Sequence, residues 1–432
     1  MKIFCSGIGG IGLSAYAALM HAQGHTVVGS DRTESELLDD LRAQGIAVST
    51  KQDGSAIPKG CDLFVYTEAL AGDHPERKVA AARGIRSISY FTALGELSAP
   101  YNVIAVSGTH GKSSTTGMLS KILVDVGTDP TVIVGTKLPD LGGRNWRSGK
   151  SKIFLLEACE YRRSFHALSP ALIVITNVDG DHFDYYASLD DYHRAFTEFI
   201  EQLPPSGFVV MHGEDSDTLR IAEASARNVL DADQYALPEL SVPGVHMRQN
   251  AQLALAAAVH LGIPREIALQ SLKEYHGAWR RMELVGMFNG IPVIDDYGHH
   301  PREVAATLQA VGEKYPKHRI VCIFQPHTHD RTLKLYDDFT KAFSGADLVI
   351  IPGIYEARRE RDAATTDVEK FVKDIAKRSG VECTNGRSLE ETEEVLRKNI
   401  LKTGDVLLVM GAGNITELAR RMGTEQERKK RR

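Results

Sequence analysis

At three places this chain runs from an apolar, strand-type segment through a glycine turn into a helical pattern: Lys2–Gly12, Val103–Thr116 and Asp405–Asn414. Parallel strands cannot be joined by tight hairpins and need crossover connections, so strands that alternate with helices in this way predict parallel sheets with helices on both faces. Ligands of such sheets sit beyond the carboxyl ends of the strands, where these glycine turns lie. Three blocks restart the alternation. The first opens on KIFCS and the glycines Gly7 to Gly12, then continues through an alanine-rich helix, a strand ending at Asp31 and a strand over Cys61–Thr67. The second opens at Tyr101 and adds strands at Ile153–Leu156, Ala171–Thr176 and Phe208–Met211 before a helix over Gln249–Leu261. The third contains PVIDDY, RIVCIFQ, DLVIIPG and DVLLVMGAG as strands, with helices over Glu303–Tyr315 and Leu333–Phe343. A chain of 432 residues is too long for one ordinary core. The expectation is an α/β protein of three domains, 1–100, 101–285 and 286–432, each with a mostly parallel sheet flanked by helices.

VIAVSGTHGKSSTT is the most specific string. Backbone N–H groups at a helix start, made approachable by Gly108 and Gly111, form a concave site for anions. Thr109, His110 and Ser114 belong to the same loop, Lys112 supplies a point charge for the outer phosphates, and the Ser113 hydroxyl can ligate Mg²⁺. The alternative is a glycine turn that carries a lysine on an exposed loop. Glu157 ends a strand in LLEACEY, where nucleotide-dependent enzymes hold Mg²⁺. A strand-end glutamate in a salt bridge reads equally well, and Glu160 is a further possible ligand. His182, between Asp181 and Asp184 in NVDGDHFD, lies beyond another strand and suits a metal ligand or proton carrier.

Gly7, Gly9 and Gly12, followed about twenty residues later by Asp31, match the dinucleotide fingerprint. The same geometry holds any nucleotide diphosphate, and a second phosphate loop downstream favours a use other than NAD. Arg280 and Arg281 lie at the passage to the third block, where an arginine can reach phosphate when domains close. DDYGHHP (Asp295–Pro301) and FQPHTHDR (Phe324–Arg331) each follow a strand. Their four histidines and three aspartates would also suit a zinc site.

A net charge of −5 without a basic face argues against nucleic acid as the main partner. Five scattered cysteines fit a reducing compartment and no structural zinc. No apolar run reaches the length of a membrane span, and Met1 leads directly into the first glycine loop, leaving no room for a signal peptide. A cytoplasmic protein is expected. The basic segment from Glu425 reads as a solvated terminus.

The shortened loop GTHGK[ST] resembles the ATP loop of the Mur ligases and of the related folylpolyglutamate synthetases. GIGGIGLSAYA, the TN–DH segment, DDYGHHP, FQPH…R, GAGNI and PG-x-H match the same family in order from Gly7 to Asn414. They are most similar to its branch that joins L-alanine to UDP-N-acetylmuramate. The resemblance implies a Rossmann-like first domain, a P-loop ATPase-like second and a Rossmann-like third. It implies ATP and two magnesium ions, with Ser113, Glu157 and His182 as metal ligands. Gly9, Gly10, Ile11, Gly12 and Asp31 would hold the UDP sugar together with Tyr297, His299 and His327. His246 and Asn250 would meet adenine, Arg281 the transferring phosphoryl group, and Arg331 a substrate carboxylate, with His299 a candidate base. The partners implied are these small molecules, with no membrane or nucleic acid, for a monomer or homodimer.

Departures from the family pattern are Met247 for asparagine, Thr328 for arginine, Ser113-Ser114 for threonines, and CEYRR for a more acidic run. The rival readings are a ligase that attaches a tripeptide to the same sugar, whose usual Phe-Ala contrasts with Tyr297-Gly298, an NAD-dependent oxidoreductase, and a non-catalytic nucleotide-binding regulator.

Overall fold

The computed structural model describes residues 1–183, 185–355 and 365–424. Asp184 and the basic segment from Glu425 lie outside the described residues. Eighteen strands form three sheets among the described residues. The first holds β1 (Lys2–Ser6), β2 (Thr26–Ser30), β3 (Ala47–Ser49), β4 (Leu63–Tyr66) and β5 (Arg86–Ser89) in the order β3-β2-β1-β4-β5. All of its pairs are parallel. The strand order reverses between β1 and β4, which is where the Gly7 turn leaves β1.

The second sheet holds β6 (Asn102–Ser107), β7 (Thr131–Leu138), β8 (Arg144–Arg147), β9 (Ile153–Glu157), β10 (Pro170–Ile175), β11 (Phe208–Met211) and β12 (Asn228–Asp231). Their order is β12-β11-β10-β6-β9-β7-β8. Only β8 runs antiparallel, paired with β7. Along the parallel pairs, Val106 stands beside Glu157 and Ser107 beside Ile175. The carboxyl ends of β9, β6 and β10 thus form one row.

The third sheet holds β13 (Glu283–Phe288), β14 (Ile291–Asp296), β15 (Arg319–Phe324), β16 (Leu348–Ile351), β17 (Glu382–Asn385) and β18 (Asp405–Met410), ordered β13-β14-β18-β15-β16-β17. Here β13 is the antiparallel edge. Met410 stands beside both Asp296 and Phe324, so the ends of β14, β18 and β15 are also level.

The helix Lys112–Asp125 is buried on every side from Ser113 to Leu123. An all-round buried helix has no polar face to mark in the sequence. Two compact units result: Met1–Ser241 with Gln249–His276, and Val242–Arg248 with the chain from Gly277 onward. Within the first unit the first two sheets share a core of Leu19, Val65, Phe154 and Phe199 among others. Asn145 there donates to the Ile11 carbonyl at 2.7 Å, and Lys137 pairs with Glu36 and Asp40 at 2.6 Å.

Two helices differ from the sequence expectation. The helical pattern at Gln249 begins at Val245. The helix expected over Leu333–Phe343 is two short ones, His329–Lys334 and Tyr336–Phe339, broken at Leu335 (φ −107°, ψ 21°). Among the described residues no helix is long and apolar enough to cross a membrane.

Candidate active site

The phosphate loop is seated by its neighbours in the sheet. Gly108 (φ +133°) leaves β6 so close to β10 that only a residue without a side chain fits. Just beyond β10, Asn177 accepts the Thr109 N–H through its carbonyl at 3.0 Å and the His110 N–H through Oδ1 at 3.0 Å. Thr176 and Asn177 donate back to the His110 carbonyl at 2.5 and 3.1 Å. The Thr109 hydroxyl meets the Tyr192 hydroxyl at 2.8 Å. Gly111 (φ +83°) lies against Asn250, whose Oδ1 would be 2.3 Å from a Cβ there. Asn250 therefore sits at the loop, and Ser114 is buried in the first turn of the following helix. Thr176 and Asn177 open the TN–DH segment, which gives them no stated place at the loop, and Tyr192 carries no motif; only the fold brings the three to the phosphate loop.

Ser113 donates to Glu157 Oε2 at 2.8 Å, and the Gly135 N–H donates to the same oxygen at 2.8 Å. Glu157 is thus held against the phosphate-loop serine rather than in an ion pair with a lysine or arginine. A hydroxyl and a carboxylate side by side suit Mg²⁺. Lys112 is not on an exposed loop. Its side chain is 14% exposed, it donates to the carbonyls of Gly108 and Thr109 at 2.5 and 3.1 Å, and it pairs at 3.0 Å with Glu160, which is 1% exposed. Burial presses the Lys112 ammonium down, but Glu160, Cys159 and Glu157 together hold it above its ordinary value. Burial likewise pushes Glu160 up, and Lys112 and His182 overcome it, leaving the carboxyl below its usual range. His182 (φ +57°) lies 3.5 Å from Glu160 and packs on Tyr161. Glu160 links the phosphate-loop lysine to His182.

In the first sheet, Gly9 donates to Asp31 Oδ2 at 2.9 Å, so Asp31 braces the glycine loop that runs from Gly7 (φ +81°) through Gly10 and Ile11. A Cβ on Gly12 would meet the Tyr90 hydroxyl at 2.8 Å, which explains the third glycine.

The other compact unit gathers a second group. Arg280 is 5% exposed, donates to the carbonyls of Gly411 and Gly413, and lies 3.6 Å from Asp295, so it fastens the Gly411–Asn414 turn to the end of β14. Arg281 is more open. It lies over the Tyr297 ring at 5.3 Å and 3.6 Å from Glu303. Asp296 accepts from Met282 and Gly298, and burial pushes its carboxyl up to about 6. His246 is pushed down to about 4 by burial and by the Arg281 charge, so it is neutral at neutral pH. His300 caps the helix Pro301–Lys314 with Glu303 as the reciprocal partner, which assigns that histidine a structural task.

His299 and His327 face each other with ring centres 6.0 Å apart. Arg331 reaches His327 Nδ1 at 3.4 Å. Thr328 (φ +70°) caps the short helix that carries Arg331. Tyr355, which no sequence signal marks, stacks on His327 and lies against Gly413, where a Cβ would strike its ring. Among the described residues no group of three or more His, Cys, Asp or Glu side chains is arranged to hold a metal ion.

Three family models cover most of the chain: Mur ligase family, catalytic domain, over residues 2–102; Mur ligase middle domain over 106–236; and Mur ligase, glutamate ligase domain, over 280–413. A UDP-N-acetylmuramate–L-alanine ligase from Caldanaerobacter subterraneus is 37% identical over 99% of this chain and 98% of its own length. The crystal structure of a UDP-N-acetylmuramate-alanine ligase from Thermotoga maritima superposes with a TM-score of 0.82, 28% identity and full coverage of both chains. A murein peptide ligase from Psychrobacter arcticus shares the fold, with a TM-score of 0.74 at 23% identity over 98% of each chain. With its three sheets, its phosphate loop and near-complete alignment to such relatives, the chain belongs to the Mur ligase family.

Proposed function

We propose that this chain is an ATP-dependent ligase that joins L-alanine to the carboxylate of UDP-N-acetylmuramate, a step of peptidoglycan precursor synthesis in the cytoplasm. The observation that carries the reading is the row formed by the ends of β9, β6 and β10. There Glu157 receives the Ser113 hydroxyl and Lys112 stands beside Glu160. Such a row serves nucleoside triphosphate chemistry and has no use in hydride transfer. Full-length likeness to relatives named for the alanine reaction, together with Tyr297-Gly298, favours alanine over a peptide as the amine. The domain division we adopt is 1–100 for the UDP sugar, 101–285 for ATP and 286–432 for the amino acid.

A carboxylate is a poor electrophile toward an amine. In the first step a muramyl carboxylate oxygen attacks the γ-phosphorus of ATP, the bond to the β,γ-bridging oxygen breaks, and ADP leaves. In the second, the alanine amine attacks the acyl carbon and inorganic phosphate leaves with the electron pair of the C–O bond. Lys112 and the loop N–H groups offset charge that builds on the phosphates, and Arg281 is assigned to the transferring phosphoryl group. Ser113 and Glu157 would hold magnesium, with His182 for a second ion; bound there, magnesium supplies charge neutralisation for the phosphate oxygens. Gly9, Gly10, Ile11, Gly12 and Asp31 hold the UDP sugar, with Tyr297, His299 and His327 toward its muramyl end. Arg331 anchors the carboxylate of alanine, and His246 with Asn250 serves adenine.

The test is phosphate release with UDP-N-acetylmuramate, ATP and Mg²⁺ across a panel of amino acids. Release with L-alanine is expected, and release only with a tripeptide overturns the choice of amine. In parallel, UDP-N-acetylmuramate at about 100 times its Kd stabilises the native state by about 2.7 kcal/mol and raises the Tm. NAD and NADP leave the Tm unchanged. Stabilisation by NAD alone overturns the assignment of Asp31 and the Gly7–Gly12 loop.

A further inference from the structure

We propose that Glu303 is a positioning residue that sets Arg281 and His299 in one arrangement, so that His299 presents the lone pair of its Nε2 to the incoming amine. The inference rests on the ligase reading above and deepens it.

Glu303 stands in the first turn of the helix Pro301–Lys314, where the N–H groups at the helix start favour a carboxylate. Its oxygens serve more than that end. Oε2 accepts the His299 N–H at 2.9 Å and the His300 N–H at 3.2 Å, and lies 3.4 Å from His299 Nδ1. Oε1 lies 3.6 Å from Arg281 Nη1. The carboxylate thus bridges the cation assigned to the phosphoryl group and the histidine that is the candidate base.

His299 Nδ1 faces two acceptors, Glu303 Oε2 and the Tyr297 carbonyl at 3.2 Å. Two acceptors at one ring nitrogen place the proton there, so the neutral ring carries its lone pair on Nε2. In the ligation, the alanine ammonium gives its proton to that nitrogen. The freed pair forms the C–N bond, the C–O bond to phosphate breaks, and the second proton that the nitrogen must lose leaves with the departing phosphate. A carboxylate behind Nδ1 stabilises the imidazolium so formed. Among the described residues, charged and titratable groups that face this pair include Arg281 and Asp296 at the end of β14, Tyr297, His246 from the stretch Val242–Arg248, and His327 with Arg331 beyond β15.

Glu303→Gln retains an acceptor for the helix cap and removes the charge. We expect kcat to fall about 10- to 100-fold, the size of a general-base contribution, with the KM for ATP unchanged. The acidic limb of the kcat profile moves to lower pH, because a histidine without its neighbouring carboxylate deprotonates more readily. In a His299→Ala background the same substitution costs little more. Equal loss of kcat at every pH, or losses that multiply with those of His299→Ala, overturns the proposal.

Nitrogen NMR of the wild-type protein reads the tautomer directly and does not depend on the variant folding. A proton on Nδ1 of His299 is expected, and one on Nε2 overturns the proposal. Neither outcome depends on the parent reading, which fails separately if the wild type releases no phosphate with UDP-N-acetylmuramate and L-alanine.

Discussion

A Cβ on Gly108 would fall 2.1 Å from the Thr176 hydroxyl and 2.8 Å from the Asn177 carbonyl oxygen. The phosphate loop is therefore built against the end of the neighbouring strand and is not a free turn. Gly108→Ala combines that clash with a φ of +133° that side chains rarely adopt. It should destabilise the protein by about 2–4 kcal/mol, in the range of overpacking joined to backbone strain, read as the midpoint of urea unfolding. A variant of wild-type stability would mean that the loop relaxes away from β10 at little cost.

Lys112→Ala should reduce kcat by about 100-fold or more, because one preorganised contact to developing phosphate charge is lost. It should also destabilise the fold by about 3 kcal/mol at neutral pH, since it strips a buried carboxylate of its cation. In the wild type Glu160 titrates below its unfolded value, so the stability it contributes is present above that value and lost as pH falls through the folded one. In the variant the burial of Glu160 is opposed by less positive charge, its folded value rises, and protonation favours the fold. The stability gap between the two proteins therefore narrows as pH is lowered from about 7 toward about 4, as paired denaturation curves will read.

His182→Ala should raise the magnesium concentration needed for half-maximal rate by roughly 10-fold or more, with excess magnesium restoring part of the activity. The motivating geometry is the 3.5 Å approach of its Nε2 to Glu160 beside the phosphate-loop lysine. An unchanged magnesium dependence would reduce His182 to a ring packed on Tyr161.

Arg331→Lys should raise the KM for L-alanine far more than the KM for ATP. A guanidinium fork grips a carboxylate with two parallel donors, which an ammonium cannot do. Arg331 is held beside His327 in the first turn of its short helix, and Thr328 at that helix's cap offers no second cation. A charge-assisted contact of about 1.5–3 kcal/mol predicts a 10- to 150-fold effect. A rise confined to the KM for UDP-N-acetylmuramate would move Arg331 to the muramyl side.

The sequence by itself determined the α/β class, the order of the main strands and the residue types at their ends. Alternation of apolar runs with helices, and glycines at turns, are local signals, and Ser113, Glu157, Lys112 and the DDYGHHP and FQPH strings could be read from them. Registers and partners are not local. That Val106 lies beside Glu157 and Ser107 beside Ile175 follows from strand pairing across dozens of residues. The same pairing brings Thr176 and Asn177 of the TN–DH segment, and Tyr192, which no motif marks, to the phosphate loop. It also put Glu157, which spacing left divided between a metal site and a salt bridge, 2.8 Å from the Ser113 hydroxyl. The strands β3, β5, β7, β8, β12, β13 and β17 and the break at Leu335 escaped notice; five of these strands are no longer than four residues, too short for a clear period, and their state is set by what they pack against. Glu303 is hidden for the same reason. A glutamate in a first helical turn is common, and only the fold puts Arg281 and His299 at its two oxygens.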